Sequence, residues 1–95
     1  MSTALMGRRR SAVEIIHEIL SLCNDGGLNK TAIMYRSNLS YDQLLKYLGA
    51  LCEDDQLFKN TNGAFQITTD GIKALKSMAN AVKTLRNLKV GRNTS

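Results

Sequence analysis

Residues 29–67, NKTAIMYRSNLSYDQLLKYLGALCEDDQLFKNTNGAFQI, decide the fold of this chain. Their pattern predicts a short helix over residues 29–36, a turn over residues 37–39 and a second helix that opens with residues 40–48. A strand over residues 57–60, a loop over residues 61–63 and a second strand over residues 64–67 follow. Asn62-Gly63 between two apolar strands is the strongest short signal for a hairpin. A helix-turn-helix followed by such a hairpin, or wing, is the winged-helix arrangement, whose commonest use places one helix in a DNA groove.

Capping signals predict where the helices begin. Ser11 with Glu14 fits the S-x-x-E capping box, so a first helix is expected from residue 12. Ser40 with Gln43 repeats this pattern at the start of the helix that follows the turn. Asn29 is suited to cap the short helix between them. Three helix starts are therefore predicted from side chains close to each start.

Apolar spacing predicts which helix faces point inward. In the first helix the inward residues are Val13, Ile16, Ile19, Leu20 and Cys23, widened by Ile15 and Leu22. In the short helix they are Ala32, Ile33 and Tyr35, and in the helix after the turn they are Leu44, Leu48 and Leu51. Leu39 in the turn is expected to plug the space between these two helices. The core is therefore aliphatic and the domain mainly helical.

A long final helix is predicted from residue 70 to about residue 90, capped by Thr68 or Thr69 and ended by Gly91. Such a helix spans about 30 Å, the diameter of a small domain, so residues 82–88 are expected to overhang the core. Because exposing their apolar side chains is costly, we expect a homodimer, antiparallel so that the basic ends are kept apart. The predicted interface comprises Leu75, Met78, Val82, Leu85 and Leu88.

The predicted fold class is mainly α with a small β-hairpin. A winged helix-turn-helix domain occupies residues 8–69, the dimerisation helix residues 70–91, and flexible ends residues 1–7 and 92–95. The 95 residues suffice for one domain with a modest core. No run of 18 apolar residues and no signal-peptide segment is present in the sequence, so we expect no membrane span.

Charge is distributed unevenly along the chain. The net charge of +5 divides into +2 over residues 1–36, −2 over residues 37–66 and +5 over residues 67–95. A basic surface favours polyanions, and DNA or RNA is the commonest such partner for a small protein of this kind. The expected location is therefore the cytoplasm, in association with the nucleoid.

Candidate DNA-binding residues fall into three groups. The arginine arm before the first helix offers guanidinium forks that match phosphate oxygens, although a solvated charge run is an equally plain interpretation. In the helix after the turn, hydroxyls suit phosphates, a glutamine can bind adenine edges, and a lysine suits phosphate or guanine. The remaining candidates, in the short helix and the wing, suit backbone contacts. The full set is Arg8, Arg9, Arg10, Lys30, Arg36, Ser40, Tyr41, Gln43, Lys46, Lys59, Asn60 and Asn62.

Other chemistry finds little support in the sequence. His17 has no second metal ligand at helical spacing, so no metal site is expected. Cys23 and Cys52 lie on apolar helix faces expected to pack together, which indicates buried structural thiols in a reducing compartment. No Gly-rich phosphate loop, carboxylate pair or Ser-His-Asp set is recognisable. We therefore expect a non-enzyme that uses no cofactor and binds no small-molecule ligand.

The run over residues 30–48 resembles the small archaeal winged-helix DNA-binding proteins, which include the ten-kilodalton chromatin-type proteins of Sulfolobus. The shared pattern is a basic residue with Thr, then Ile-Met-Tyr, Asn-Leu-Ser-Tyr and a Leu-rich helix. The similarity continues through the wing to Phe-Gln-Ile-Thr-Thr-Asp-Gly at residues 65–71, includes Arg-Arg-Arg-Ser at residues 8–11 and Glu-Ile-Ile at residues 14–16, and covers about residues 8–80. Asp42 and the acids at residues 53–55 depart from the family pattern.

The resemblance implies a winged helix whose last helix pairs as an antiparallel coiled coil in a dimer. It also implies duplex DNA binding, as a chromatin-type protein or a transcription regulator, through the third helix and the wing. By position, the residues it implicates are Lys30, Ser40, Tyr41, Gln43, Lys46, Lys59, Asn60 and Asn62.

Two rival functions remain open on the sequence. The first is a protein-interaction adaptor without intrinsic DNA binding, in which Tyr41, Tyr47 and the acids at residues 53–55 meet a protein partner. The second is binding of structured RNA, which differs from the leading hypothesis in the preferred polyanion.

Overall fold

The structure is a computed structural model that describes the backbone of residues 10–94 and the side chains of residues 10–87. Four helices and three strands follow one another in the order α1, β1, α2, α3, β2, β3 and α4. Their bounds are Ala12–Cys23 (α1), Leu28–Asn29 (β1), Lys30–Ser37 (α2), Tyr41–Glu53 (α3), Leu57–Lys59 (β2), Ala64–Ile67 (β3) and Thr69–Thr94 (α4). This order confirms the predicted winged helix-turn-helix with a long C-terminal helix.

The first three helices begin at the predicted caps. The Ser11 hydroxyl accepts a hydrogen bond from the Glu14 amide at 3.1 Å, and the Glu14 carboxylate accepts one from the Ser11 amide at 3.0 Å. Ser40 and Gln43 form the same reciprocal box at the start of α3. Asn29 caps α2, since its Oδ1 accepts from the amide of the third helical residue at 2.9 Å. These bonds satisfy amides that a helix start otherwise leaves unpaired.

The turn between α2 and α3 is held by a left-handed residue and an apolar plug. Asn38 adopts φ 57°, and its amide donates to the Met34 carbonyl at 3.0 Å. Leu39 is buried, as predicted, next to the fully buried Ile33 of α2. Tyr35 was expected to point inward, but its side chain is 78% exposed. In this eight-residue helix Ile33 and the half-buried Met34 supply the inward face instead.

The sheet has three strands, whereas the sequence predicted a two-strand hairpin. β3 lies in the centre and pairs antiparallel with both β1 and β2. Leu28 lies opposite Phe65, and Leu57 lies opposite Ile67. β1 has two residues, too few to show the alternation by which a strand is recognised from sequence. It brings the start of α2 next to the wing.

The wing turn is built around Asn60. Its backbone carbonyl accepts from the Gly63 amide at 3.0 Å, and its side-chain Oδ1 accepts from the Asn62 and Ala64 amides at 2.9 and 3.0 Å. Gly63 has φ +83°, while Asn62 is not left-handed. This is a three-residue hairpin loop that ends on a left-handed glycine.

One aliphatic core joins the helices to the sheet. It contains the predicted stripe of α3 and most of the predicted face of α1, together with one residue each from α2, the turn, β2 and β3. Val13 and Ile16 of the predicted α1 face are half-buried. The core residues are Ile15, Ile19, Leu20, Cys23, Ile33, Leu39, Leu44, Leu48, Leu51, Leu57 and Phe65. Leu44, Leu48 and Leu51 form the face of α3 that packs on this core, so the opposite face of α3 is left uncovered.

Thr68 is the residue that caps α4. Its hydroxyl accepts from the Gly71 amide at 2.9 Å and donates to the Asp55 carbonyl. The helix was expected to end at Gly91 but continues to Thr94, and residues 92–94, expected to be loose, are helical. A glycine inside a helix costs about 1 kcal/mol relative to alanine, and without a following proline it need not end the helix.

The apolar seam of α4 packs mainly on its own chain. Leu75 and Met78 lie half-buried against the core, and α4 contacts α1 extensively. Val82 was expected to be exposed without a partner helix, but it is 2% exposed within the single chain. Leu85 is half-buried, and the side chain of Leu88 lies outside the described part. The predicted overhang therefore begins beyond Val82, one turn later than expected.

Among the described residues, no helix is both long enough and apolar enough to cross a membrane.

Candidate nucleic-acid interface

The exposed face of α3 lies opposite its buried leucines. It carries Tyr41, Asp42, Leu45, Lys46 and Gly49, all exposed. The predicted site residues Ser40 and Gln43 are also exposed at the start of the helix. However, the Ser40 hydroxyl and the Gln43 carbonyl oxygen are used in the capping box. Gln43 therefore presents its amide nitrogen outward as a donor.

Lys30 and Tyr41 join the starts of α2 and α3. The Lys30 Nζ lies 3.2 Å from the Tyr41 hydroxyl and 5.3 Å from the centre of its ring. Lys30 is the first residue of α2, and Tyr41 is the first residue of α3. Helix starts carry partial positive charge, so the ammonium group adds to a local field that attracts anions. The structure thus brings together two predicted site residues from separate helices.

The wing residues have different roles from one another. Lys59 is exposed, with its Nζ 5.9 Å from the centre of the Phe65 ring, and Asn62 is exposed at the tip of the wing. Asn60 is half-buried, and its side chain is occupied by the two amides of the wing turn. The structure therefore places Lys59 and Asn62 on the outer surface and assigns Asn60 to holding the wing in shape.

Arg10 lies in a clamp rather than in a free arm. Its Nη1 pairs with the Glu18 carboxylate, and its Nη2 donates to the Ser37 carbonyl at 2.7 Å. Ser37 is the last residue of α2, where carbonyls lack helical partners and cations are favoured. Arg36 in the same turn is exposed. Arg8 and Arg9 lie outside the described residues.

The acids of residues 53–55 lie at the far end of α3. All three are exposed, and Asp55 has φ 59°, which turns the chain into β2. Glu53 lies twelve positions after Tyr41, so about 18 Å of helix lies between the two ends. The start of α3 next to Lys30 thus suits a polyanion, whereas its end repels one.

The two cysteines are free thiols, one buried and one half-buried. Burial raises the pKa of the Cys23 thiol from 9.0 to about 11, and the nearby Cys52 adds to the rise. Burial also raises the pKa of Cys52, partly opposed by Lys59. A thiol of raised pKa holds little thiolate, which is the nucleophilic form and the metal-binding form. In the described part of the chain no group of three His, Cys, Asp or Glu side chains is placed to hold a metal ion.

Sequence reasoning missed several exposed apolar or small residues on α3 and β2. Leu45 is 41% exposed, Phe58 is 46% exposed on β2, and Gly49 is exposed on α3. The exposure of Leu45 and Gly49 was predictable from helical spacing. Each follows a buried leucine, Leu44 or Leu48, by one residue, and successive residues are turned by about 100° around the helix axis. No sequence signal marked Phe58, since either face of a three-residue strand can be buried.

The chain matches known proteins over most of its length. A family model described as winged helix-turn-helix matches residues 9–86. Uncharacterized protein MJ0287 of Methanocaldococcus jannaschii is 36% identical over 70 residues, which cover 74% of this chain and 71% of that protein. Uncharacterized protein MJ0290 of the same organism is 35% identical over 63 residues, 66% of this chain. The chain spans 29% of the length of MJ0290.

Solved structures share the fold. Sso10a-2, a DNA-binding protein from Sulfolobus solfataricus, superimposes with a TM-score of 0.76 at 25% identity, over 90% of this chain and 92% of that one. MepR, a transcription regulator of the Staphylococcus aureus multidrug efflux pump MepA, gives a TM-score of 0.62 at 14% identity, over 82% of this chain and 63% of that one. Lactococcus lactis ZitR gives a TM-score of 0.64 at 20% identity, over 95% of this chain and 67% of that one. The last two show the fold alone.

The family model covers far more than half of the chain, and the wing, the turn and α3 that it implies are those the structure contains. The chain belongs to the winged helix-turn-helix family, and it resembles the small archaeal winged-helix DNA-binding proteins.

Proposed function

We propose that this protein binds duplex DNA through α3 and the wing, as a transcription regulator or a chromatin-type protein. The observation that carries the proposal is the uncovered face of α3, which begins at the paired Lys30 and Tyr41 and carries the exposed Lys46, together with the exposed Lys59 on the wing. The likeness to Sso10a-2, itself a DNA-binding protein, supports it. A protein that acts in this way works on the nucleoid.

The proposed contacts separate by chemistry. Lys30, Lys46 and Lys59 neutralise phosphates, which supplies most of the affinity in a form independent of sequence. The Tyr41 hydroxyl suits a phosphate oxygen and the Gln43 amide suits a base edge, whereas the Ser40 hydroxyl is engaged in the capping box and holds the start of α3. The remaining contacts of the proposal are the exposed Arg36 and Asn62, together with Arg8 and Arg9, which the sequence places just before the first helix and which lie outside the described residues. Arg10 and Asn60 act as positioning residues.

A comparison of two lysines tests this surface. Lys46 is exposed on α3, and Lys83 is exposed on α4, so Lys83→Ala is a charge-matched control outside the proposed surface. With a fluorescent random-sequence duplex, Lys46→Ala is expected to weaken binding to all sequences alike and to reduce the salt slope by about 0.9. Equal affinities for the two variants would show that the proposed surface is wrong.

We also propose a homodimer through the distal part of α4. The 26 residues of α4 extend about 39 Å, whereas the 12 residues of α1 that pack on it extend about 18 Å. Val82 is buried and Leu75 and Met78 are half-buried against their own chain, so in the described part the seam available to a second copy starts at Leu85. Leu88 is the next apolar residue of the proposed seam in the sequence. A dimer in sedimentation equilibrium that Leu85→Glu dissociates would support this arrangement. A monomer at tens of micromolar would contradict it.

An adaptor function is favoured by one observation, the exposed aromatic ring of Tyr35. This ring lies on α2 and is 78% exposed, and tyrosine is enriched among the residues that dominate binding at protein interfaces. Under this alternative a stoichiometric protein partner would be recovered with the wild-type chain and lost with Tyr35→Ala, in the absence of duplex affinity.

A further inference from the structure

Three residues form a row of decreasing size along the exposed face of α3. Tyr41, Leu45 and Gly49 follow one another at intervals of four, so they lie above one another on the helix. Tyr41 is 49% exposed and Leu45 is 41% exposed. The row therefore presents a phenol, an isobutyl group and then bare backbone to whatever approaches the helix.

Nothing in the described part of the chain requires a glycine at position 49. A Cβ placed on it meets no atom within 4 Å, and its φ is not left-handed. Gly inside a helix costs about 1 kcal/mol relative to Ala, so the fold on its own favours a larger residue here. A glycine at such a position allows another molecule to approach the helix backbone closely.

The chemistry of the row excludes one common mode of base recognition and suits another. No arginine lies in α3, so the bidentate contact of arginine with guanine is absent from this helix. Leu45 has no hydrogen-bonding group, and neither does Gly49 beyond its backbone. The major groove presents one apolar group, the C5 methyl of thymine, which apolar side chains contact.

Charge and length determine which part of α3 reaches the groove. Lys30 and Lys46 flank the first turns, and Glu53 lies one further step along the same row, where phosphate is repelled. The row from Tyr41 to Gly49 rises about 12 Å, which matches the width of the major groove. Leu45 lies at the middle of this length.

We propose that Leu45, beside the gap left by Gly49, contacts thymine methyl groups in the major groove. The contact gives the protein a preference for A·T-containing duplex that depends on the methyl group. This inference rests on the proposed function, because it requires α3 to lie in the groove of duplex DNA.

Deoxyuridine provides the test, since it differs from thymidine by the C5 methyl alone. Anisotropy titrations compare a labelled duplex of alternating dA and dT with the same duplex in which deoxyuridine replaces every thymidine. The wild-type protein is expected to bind the deoxyuridine duplex about fourfold more weakly for each methyl contacted. Leu45→Ala, at an exposed position, is expected to bind both duplexes alike, which separates a methyl contact from any change in duplex shape.

Two further variants complete the design. Gly49→Ala is expected to raise the urea midpoint of unfolding while it weakens binding to the thymidine duplex, since the added methyl fills the gap. Lys46→Ala is expected to weaken binding to both duplexes by the same factor. Equal, salt-dependent binding of both duplexes by the wild-type protein would overturn this inference and leave the proposed function standing. Binding to neither duplex would overturn both.

Discussion

Gly71 lies where the start of α4 passes the chain between α3 and β2. A Cβ at this position would lie 2.2 Å from the Gln56 carbonyl oxygen and 2.7 Å from the Ile67 Cγ1. The Gln56 carbonyl also accepts from the Thr68 amide at 3.1 Å, so the backbone atom that a side chain would strike is itself held in place. No flexible side chain can move aside to make room.

Alanine is therefore expected to have opposite effects at two helical glycines. Gly71→Ala is expected to lower the free energy of unfolding by about 3 kcal/mol through overpacking. Gly49→Ala, whose Cβ enters open space, is expected to raise it by about 1 kcal/mol. Urea unfolding of both variants measures these changes. A stabilised Gly71→Ala would show that α4 does not approach Gln56 this closely.

The buried Cys23 thiol is expected to make stability depend on pH above neutrality. Its pKa is about 11 in the folded protein, against an ordinary value of 9.0. The folded state therefore retains the proton that the unfolded state loses first. The contribution of Cys23 to the free energy of unfolding is therefore fully present below pH 9 and is lost as the pH rises towards about 11.

The measurement is the free energy of unfolding between pH 8 and about pH 11, for the wild-type protein and for Cys23→Ala. The wild-type curve is expected to fall more steeply, because only the wild-type protein contains the buried Cys23 thiol. Parallel curves would show that Cys23 titrates alike in the folded and unfolded states.

At the scale of elements, Arg10 connects the start of α1 to the end of α2. It pairs with Glu18 and donates to the Ser37 carbonyl, and both groups of the pair are partly exposed. Arg10→Ala is expected to cost about 1 kcal/mol of stability, a value reduced from that of a buried charged bond because water screens the pair. Arg36→Ala, at an exposed arginine in α2, is the matched control, with an expected change within about 0.5 kcal/mol.

Urea unfolding compares the two arginine variants, and Arg10→Lys adds a third. Lysine keeps the charge but cannot reach two acceptors with one planar group, so it is expected to restore little of the lost stability. Equal midpoints for Arg10→Ala and Arg36→Ala would show that the clamp contributes nothing.

Structural features that depend on residues close together in the sequence could be predicted. Features that depend on contacts between distant parts of the chain could not. The caps at Ser11, Asn29 and Ser40 act within three residues of each helix start, and all three are confirmed. β1 and the burial of Val82 depend on packing between distant parts of the chain, and neither was predicted. The clamp of Arg10 belongs to the same class, because its acceptor at Ser37 is 27 residues away.

In the candidate site, too, some features could be predicted from the sequence and others could not. Exposure of the α3 face followed from the spacing of Leu44, Leu48 and Leu51, so the exposed position of Lys46 was predictable. The pairing of Lys30 with Tyr41 was not, since the turn that brings the two helix starts together is a tertiary feature. The open space beside Gly49 was not predictable either, because it depends on which atoms of the folded chain surround the point where a Cβ would lie.

On the scale of the whole molecule, the charge is arranged along the chain as an alternation of basic and acidic regions. The net charge of +5 attracts polyanions at a distance, while residues 37–66, which include the acids of residues 53–55, carry a net charge of −2. Steering of this kind acts on association rates and weakens with salt. Affinity for DNA is therefore expected to depend on ionic strength more than on sequence.

The most direct test of the central claim, that α3 and the wing bind duplex DNA, is anisotropy of a labelled random-sequence duplex across a salt series. With phosphate contacts from Lys30, Lys46 and Lys59, the logarithm of the binding constant is expected to fall linearly with the logarithm of salt concentration, with a slope of about −3 per chain. Absence of binding at the lowest salt, or a slope near zero, would contradict the account.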